Sequence, residues 1–429
     1  MKELKVMVVG SGGREHCLAW KISHSRLVDK IYCAPGNGGM SEIGKCVPWK
    51  SLADLVSFAQ EEKIDLTIVG PEAPLSQGIV NLFEDRSLPI IGPDQRGALL
   101  ESSKIFAKNF MKKYQIPTSS FEVFDDYEEA VDYLQKRDTY PLVIKADGLA
   151  GGKGVYIAYD VDEAIDALQE LMIDLKFGSA GERVVVEDFL EGEEATVMVL
   201  WDGKSYFLLP SSQDHKRVGE GDIGPNTGGM GAYSPAPVID EVVREKIEKK
   251  IVHPLLEGIK KEELRYRGVI YIGIMVDEEK DPRVLEFNVR LGDPETQVVL
   301  PRINNDWLEV NLAIWEGKLG EVKLSVSDFP TLGVVLASKG YPGNYEVGKK
   351  IWGLEKFPNW ENDEVLVFHA GTEKRDDGFY TAGGRVLNVC ARGKNLQEAK
   401  DKAYRAVTEI HFENIYYRRD IGFRAIGEK

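Results

Sequence analysis

The feature that most constrains this chain lies at its start. An apolar run, Leu4 to Val9, leads into Gly10-Ser11-Gly12-Gly13, and helical periodicity follows from Arg14 to about His24. A strand, a glycine turn and a helix in that order open a parallel β–α–β unit, whose sheet must be covered on both faces. Further apolar segments at Ile31–Ala34, Leu66–Val69 and Leu88–Ile91 are separated by helix-like stretches. The expectation is an open, Rossmann-like parallel sheet over residues 1–101. The same turn bears on chemistry. Backbone N–H groups at a helix N-terminus can hold an anion, which makes Gly12 and Gly13 candidates for a phosphate contact. The dinucleotide fingerprint needs a third glycine where Glu15 stands, so nicotinamide binding is not expected.

The texture then changes. A helical pattern from Glu101 to Tyr114 stops at Ile116-Pro117-Thr118. Strand and helix patterns alternate from Phe121 to Glu187, with helices at Tyr127–Arg137 and Asp162–Leu175 and a glycine-rich loop at Asp147–Gly154. This reads as a small α+β lobe, with a loop of the kind that closes over a ligand. Strands at Glu194–Trp201 and Tyr206–Leu209 precede a long loop, Gln213–Pro237, then a helix at Asp240–Ile259 and strands at Val269–Val276 and Val284–Asn288. The expected organisation is an N-terminal domain (1–101), a main body (102–120 and 189–321), a mobile lobe (121–188) and a C-terminal domain (322–429). The fold class is multidomain, α/β and α+β.

Composition narrows the setting. Against 54 Lys and Arg stand 70 Asp and Glu, a net charge of −16, which argues against general nucleic-acid binding. Cys17, Cys33, Cys46 and Cys390 form neither a zinc pattern nor a disulfide framework. No apolar run reaches the roughly 18 residues of a membrane span. A soluble cytoplasmic protein, monomeric or a small homo-oligomer, is expected, without nucleic-acid or membrane partners.

Three segments carry chemistry. In Pro141 to Gly154, a strand places Lys145, and Gly151-Gly152-Lys153-Gly154 follow. Lysine charge and backbone N–H groups suit a triphosphate, although such a loop alone equally reads as a solvated turn. Val184 to Val197 joins two strands by an extended linker; its backbone can read an adenine edge and a carboxylate can take ribose hydroxyls, or it is an acidic surface turn. In Leu285 to Arg290, strand alternation puts Glu286, Asn288 and Arg290 on one face. A carboxylate beside an amide oxygen makes a hard-oxygen pair suited to Mg²⁺ bridging phosphates. Arg290 could clamp a carboxylate, and Asp293 in the following turn could receive an ammonium group. His16 and His215, in glycine-rich segments, are candidate substrate contacts.

Taken in order, VVGSGGREH, CAPGNGG (33–39), VGPEAPL (69–75), SKIFAKNFM from Ser103, KADGLAGGKGV from Lys145, EDFLEGEEATV from Glu187, QDHKRVGEGDIGPNTGGMGAYSP (213–235) and LEFNVRLGDPETQ (285–297) resemble the phosphoribosylamine–glycine ligase family over nearly the whole chain. The C-terminal HAGT and GGRVL segments fit as well. The resemblance implies an ATP-grasp fold and ligation of glycine to 5-phosphoribosylamine through glycyl phosphate, with ATP as substrate and Mg²⁺ or Mn²⁺ as metal. It implies Lys104, Lys145, Gly152 and Lys153 on the phosphates, Glu187 to Leu190 at the adenine, Glu194 at the ribose, and Glu286 and Asn288 on the metal. Arg290, Asp293, Lys145 and Asp214 would be catalytic. Gly12, Gly13, Glu72, Asp214, Asn226, Thr227, Gly229, Met230 and Arg290 would bind substrate. The third acidic metal ligand of some other grasp enzymes falls near Gly273 here. A carboxylase-like grasp enzyme has no reason to carry the 213–235 loop; the missing third glycine at Glu15 speaks against a Rossmann-type oxidoreductase, and absent ATP turnover with all substrates would favour a nucleotide sensor.

Overall fold

In a computed structural model, which describes residues 3–149, 154–357 and 364–427, the N-terminal apolar run is the strand Leu4–Gly10. It pairs in parallel with Val28–Pro35 (Val8 against Cys33) and with Leu66–Val69 (Val8 against Ile68), and Ile90–Pro93 lies beyond the latter. Val6 to Val9 are all 0% exposed. Val6 and Val8 enter one core while Met7 and Val9 enter another, on the opposite face of the sheet. A strand buried on both faces has no polar alternation, which is why it reads as an unbroken apolar run.

The sheet continues past this unit. Tyr266 and Arg267 pair antiparallel with Pro93 and Gly92. Through them the strand Tyr266–Val276 joins the parallel strands to Glu193–Trp201 and Tyr206–Leu208, and Pro282–Asn288 pairs along its other edge. The result is one nine-stranded sheet. A four-stranded antiparallel lobe follows the order Phe121–Phe124, Val184–Asp188, Leu142–Ala146, Val155–Ala158. Helices Tyr127–Gln135 and Val161–Leu168 cover it, and Ala130, Leu134, Ile144 and Leu168 form its separate core.

Several expected boundaries change. The helix expected over Glu101–Tyr114 is interrupted at Ser103, whose hydroxyl accepts the Phe106 N–H at 3.1 Å and so starts the helix Lys104–Lys113. Both longer helices contain a wide turn, at Gln169–Ile173 and at Glu248–Val252. The segment Gln213–Pro237, expected as an irregular loop, is largely paired. Gln213–Asp214 and Gly231–Ser234 are strands, and the latter lies against Thr331–Ser338 (Gly231 opposite Val334). The partner is about a hundred residues away and the strands are short, so no local pattern announces them. With Arg385–Arg392 and Val365–His369 they build the C-terminal sheet, against which helix Leu396–Glu409 buries Ala399, Ala403 and Val407. Among the described residues no helix is long and apolar enough to cross a membrane.

Candidate active site

The three sheets enclose a cavity of about 1000 Å³. The lysine helix Lys104–Lys113 and the lobe strand Leu142–Ala146 bring their ammonium groups to one side. Lys145 Nζ lies 2.9 Å from Glu187 Oε1 and 3.3 Å from the Leu285 carbonyl. Glu187 is 3% exposed and also binds Lys108 Nζ at 2.8 Å and the Ser119 hydroxyl at 2.7 Å. Burial pushes the Glu187 carboxyl up, but Lys145 and Lys108 outweigh it and hold it below the usual range. Burial pushes the Lys108 ammonium down to about 8 despite Glu187, and burial likewise lowers Lys104. The Glu187 side chain is therefore committed to the lysines; what it can offer an adenine is backbone. Lys108 was missed from the sequence, yet it sits four residues after Lys104, on the same helix face.

Asp147 locks this arrangement. Its Oδ1 accepts the Ser103 hydroxyl at 2.8 Å and the Ile105 N–H at 2.9 Å, and its Oδ2 binds Arg183 at 2.6 Å. The lobe thus caps the lysine helix from outside. Gly152 and Lys153 lie outside the described residues. Leu190 and Glu194 line the cavity.

On the opposite wall, Gly273 is paired with Glu286 and Tyr271 with Asn288, which puts Glu286 and Asn288 on one face, as alternation requires. The position facing Glu286 is glycine, so a third acidic ligand is absent from the central strand. Among the described residues no cluster of three or more His, Cys, Asp or Glu is arranged as a metal site. Two oxygen donors in a cleft rich in lysines fit a hard divalent ion that keeps waters and takes oxygens from a ligand, and do not fit zinc. Burial raises the Glu286 carboxyl, but Lys216, Lys104 and Lys145 bring it below the usual range. Lys216, also missed from the sequence, is ion-paired with Glu194 and lies 3.9 Å from Glu286.

The third side is a network of arginines and acids. Arg290 binds Glu101 at 2.7 Å and Glu72 at 3.3 Å. Burial raises both carboxyls; Arg290 and Arg14 pull Glu72 below the usual range, whereas Glu101 stays above it. Asp293 accepts the Arg14 N–H at 3.2 Å and the Gln297 amide at 2.9 Å, and pairs with Arg385 of the C-terminal sheet at 3.3 Å. Burial raises its carboxyl, but Arg385 and Arg14 hold it below the usual range. Asp214 also lines the cavity, and burial, with Glu295 and Glu194 nearby, pushes it up to about 8 in spite of Lys216. The neighbouring Glu295 is likewise raised by burial and accepts the Tyr271 hydroxyl at 2.8 Å.

Other sequence candidates have different surroundings. Glu15 takes the space of the missing fingerprint glycine: its Oε2 accepts the Gly12 N–H at 2.5 Å and its Oε1 accepts Arg14 Nε. The helix N-terminus is thus partly capped by its own chain. A side chain at Gly70 would meet Glu15 Oε1 at 1.8 Å, so this glycine makes room for that carboxylate. Gly13 packs under Gln297 and Gly229 against Pro294. Asn226 and Thr227 line the cavity, and the Thr227 hydroxyl donates to the Lys216 carbonyl at 2.8 Å. Met230 is 0% exposed inside the C-terminal core, so its side chain does not reach the cavity. Neither His16 nor His215 reaches it: His16 Nδ1 accepts the His369 N–H at 2.7 Å, and His215 Nε2 accepts the Gly422 N–H at 3.2 Å.

Models described as the N, ATP-grasp (A) and C domains of phosphoribosylglycinamide synthetase match residues 4–101, 102–296 and 331–424. A phosphoribosylamine–glycine ligase of Vibrio cholerae is 46% identical over 430 residues, covering 99% of each chain. The crystal structure of the phosphoribosylamine–glycine ligase of Thermotoga maritima superimposes with a TM-score of 0.82 at 36% identity, over 97% of this chain and 100% of that one. The biotin carboxylase domain of Hydrogenobacter thermophilus 2-oxoglutarate carboxylase, with a TM-score of 0.75 at 15% identity over 97% and 92% of the two chains, shares the fold. With its N-terminal, ATP-grasp and C-terminal units all matched in order, the chain belongs to the phosphoribosylamine–glycine ligase family of ATP-grasp enzymes.

Proposed function

We propose that this enzyme joins glycine to 5-phosphoribosylamine at the expense of ATP, by way of glycyl phosphate, in purine biosynthesis. The observation that carries the reading is one cavity in which Glu286 and Asn288 face Lys104 and Lys145, while Arg290 and Asp293 stand beside them.

In the first step a glycine carboxylate oxygen bonds to the γ-phosphorus as the bond to the ADP oxygen breaks. Little covalent chemistry falls to the protein; positioning and charge stabilisation do. Lys104 and Lys145 bind the phosphates, and Glu187 holds Lys145 in place. The backbone of Glu187 to Leu190 faces the adenine and Glu194 the ribose. Glu286 and Asn288 would hold Mg²⁺, or Mn²⁺, which supplies charge neutralisation between the phosphates. Arg290 takes the glycine carboxylate in exchange for Glu72, the longer of its two acid contacts, and Asp293 takes the ammonium. In the second step the amine nitrogen attacks the acyl carbon, the bond to phosphate breaks, and the amine loses a proton. Asp214, with its carboxyl near neutrality, is placed to accept it. The 213–235 segment, through Asn226 and Thr227, borders the ribosyl phosphate. The lobe 121–188 closes over the acyl phosphate and keeps water away. A cytoplasmic monomer or small homo-oligomer suffices for this chemistry.

The test is ADP release with Mg²⁺-ATP, adding glycine and freshly generated phosphoribosylamine separately and together. Release coupled to glycinamide ribonucleotide only when both are present is expected; no release under any combination overturns the reading. Glu286→Ala with undiminished Mg²⁺-dependent turnover removes the metal assignment.

A further inference from the structure

Lys216 has no role in the steps above, yet it occupies their electrostatic centre. It follows the strand Gln213–Asp214 and enters the cavity from the side of the C-terminal sheet. Its ammonium is ion-paired with Glu194 and lies 3.9 Å from Glu286. These acids stand on Glu193–Trp201 and Pro282–Asn288, the strands on either side of Tyr266–Val276. The central strand leaves the gap between them open. Thr196 pairs with Gly273, and Gly273 with Glu286, so no side chain stands opposite Glu286 on that face. A Cβ at Gly273 would come 3.3 Å from Glu286 Cγ. The ammonium that forms an ion pair with Glu286, at 3.9 Å, is thus that of Lys216, a lysine that follows a strand of another sheet.

We infer that the Lys216 ammonium is a placeholder cation, which neutralises Glu286 and Glu194 until the nucleotide and its divalent ion arrive and then gives up Glu286. The inference rests on Glu286 being a metal ligand. A cleft with two partly buried carboxylates needs a counter-charge while empty. A tethered ammonium provides one at no cost in binding, but it opposes a free divalent ion with its own positive charge. Metal is then admitted with nucleotide, whose phosphates bring negative charge and further ligands. The long flexible stem of lysine suits such a movement, and the ion pair with Glu194 keeps hold of the ammonium when Glu286 is released.

The test measures Mn²⁺ binding to the full chain without nucleotide, by electron paramagnetic resonance of the free ion. Lys216→Met should bind Mn²⁺ at least tenfold more tightly than the wild type, and Lys216→Gln, a second neutral variant in case the first folds poorly, should do the same. Lys216→Arg, which keeps the charge, should stay as weak as the wild type. In Lys216→Met/Glu286→Gln the gain should disappear. Equal Mn²⁺ affinity in the wild type and both neutral variants overturns the placeholder, as does a gain in Lys216→Arg equal to that in Lys216→Met. Persistence of the gain in the double variant does so too, because the ion then binds elsewhere. Failure of the underlying metal assignment is read separately, as unchanged Mg²⁺-dependent turnover in Glu286→Ala with Lys216 intact.

Discussion

At the scale of single residues, the site is governed by charges that cannot be removed one at a time. Glu187 holds two lysines in a nearly water-free position, so Glu187→Gln should cost about 3 kcal/mol of stability at pH 7. Because the folded-state carboxyl is depressed, its contribution is fully present above the unfolded carboxylate value near 4.3 and is lost as pH falls through the folded value. Urea midpoints of the variant and the wild type should therefore converge toward pH 3. Asp214 has the opposite sign. Its folded-state carboxyl lies near 8, so the wild type loses stability as pH rises from about 4 to about 8. Asp214→Asn is spared that loss. Its advantage in urea midpoint should grow across this window and level off above pH 8. An advantage independent of pH would show that Asp214 is ionised throughout.

At the scale of elements, the latch between Asp147 and the N-terminus of Lys104–Lys113 holds the lobe to the main body. Asp147→Ala should cost about 1–2 kcal/mol, as losing a helix cap does, and should speed proteolysis within 121–188; unchanged cleavage would mean the lobe is held by other contacts. The elements also show what the sequence could reveal. The place of Lys145, Glu286 and Asn288 in the cavity was legible because each sits on a strand beside a recognisable turn, whereas Lys104 came in only with the family resemblance. Lys108 had a signal, its spacing from Lys104, that went unused. Lys216, Glu295 and Arg385 lie inside the family segments 213–235, 285–297 and 383–387, but nothing in their local pattern singled them out, and Glu101 had no signal at all. Their partners lie on other sheets, as when Glu101 meets Arg290 or Arg385 meets Asp293, and pairings of that kind exist only once the chain has folded. The strand Gly231–Ser234 was hidden for the same reason, and the loop expected in its place was a consequence of reading locally.

At the scale of the whole molecule, the C-terminal sheet takes part in the cavity through Arg385, which pairs with Asp293 and donates to the Gly228 carbonyl at 2.6 Å. Arg385→Ala should leave Asp293 short of a counter-charge, lower stability by about 3 kcal/mol and raise KM for phosphoribosylamine more than KM for ATP. Equal effects on both would make Arg385 a structural strut only. The junction of Ile90–Pro93 with Tyr266–Val276 has a different consequence, for anyone who would divide the gene. The boundary near residue 101 looks like a place to cut, because the family models meet there. Yet the seam is a short antiparallel pairing inside one sheet, Tyr266 and Arg267 against Pro93 and Gly92, and cutting the chain there would leave two raw edges, each a template for pairing with another copy. Fragments 1–101 and 102–429 should therefore be recovered in good yield only when expressed together, and aggregate when made apart.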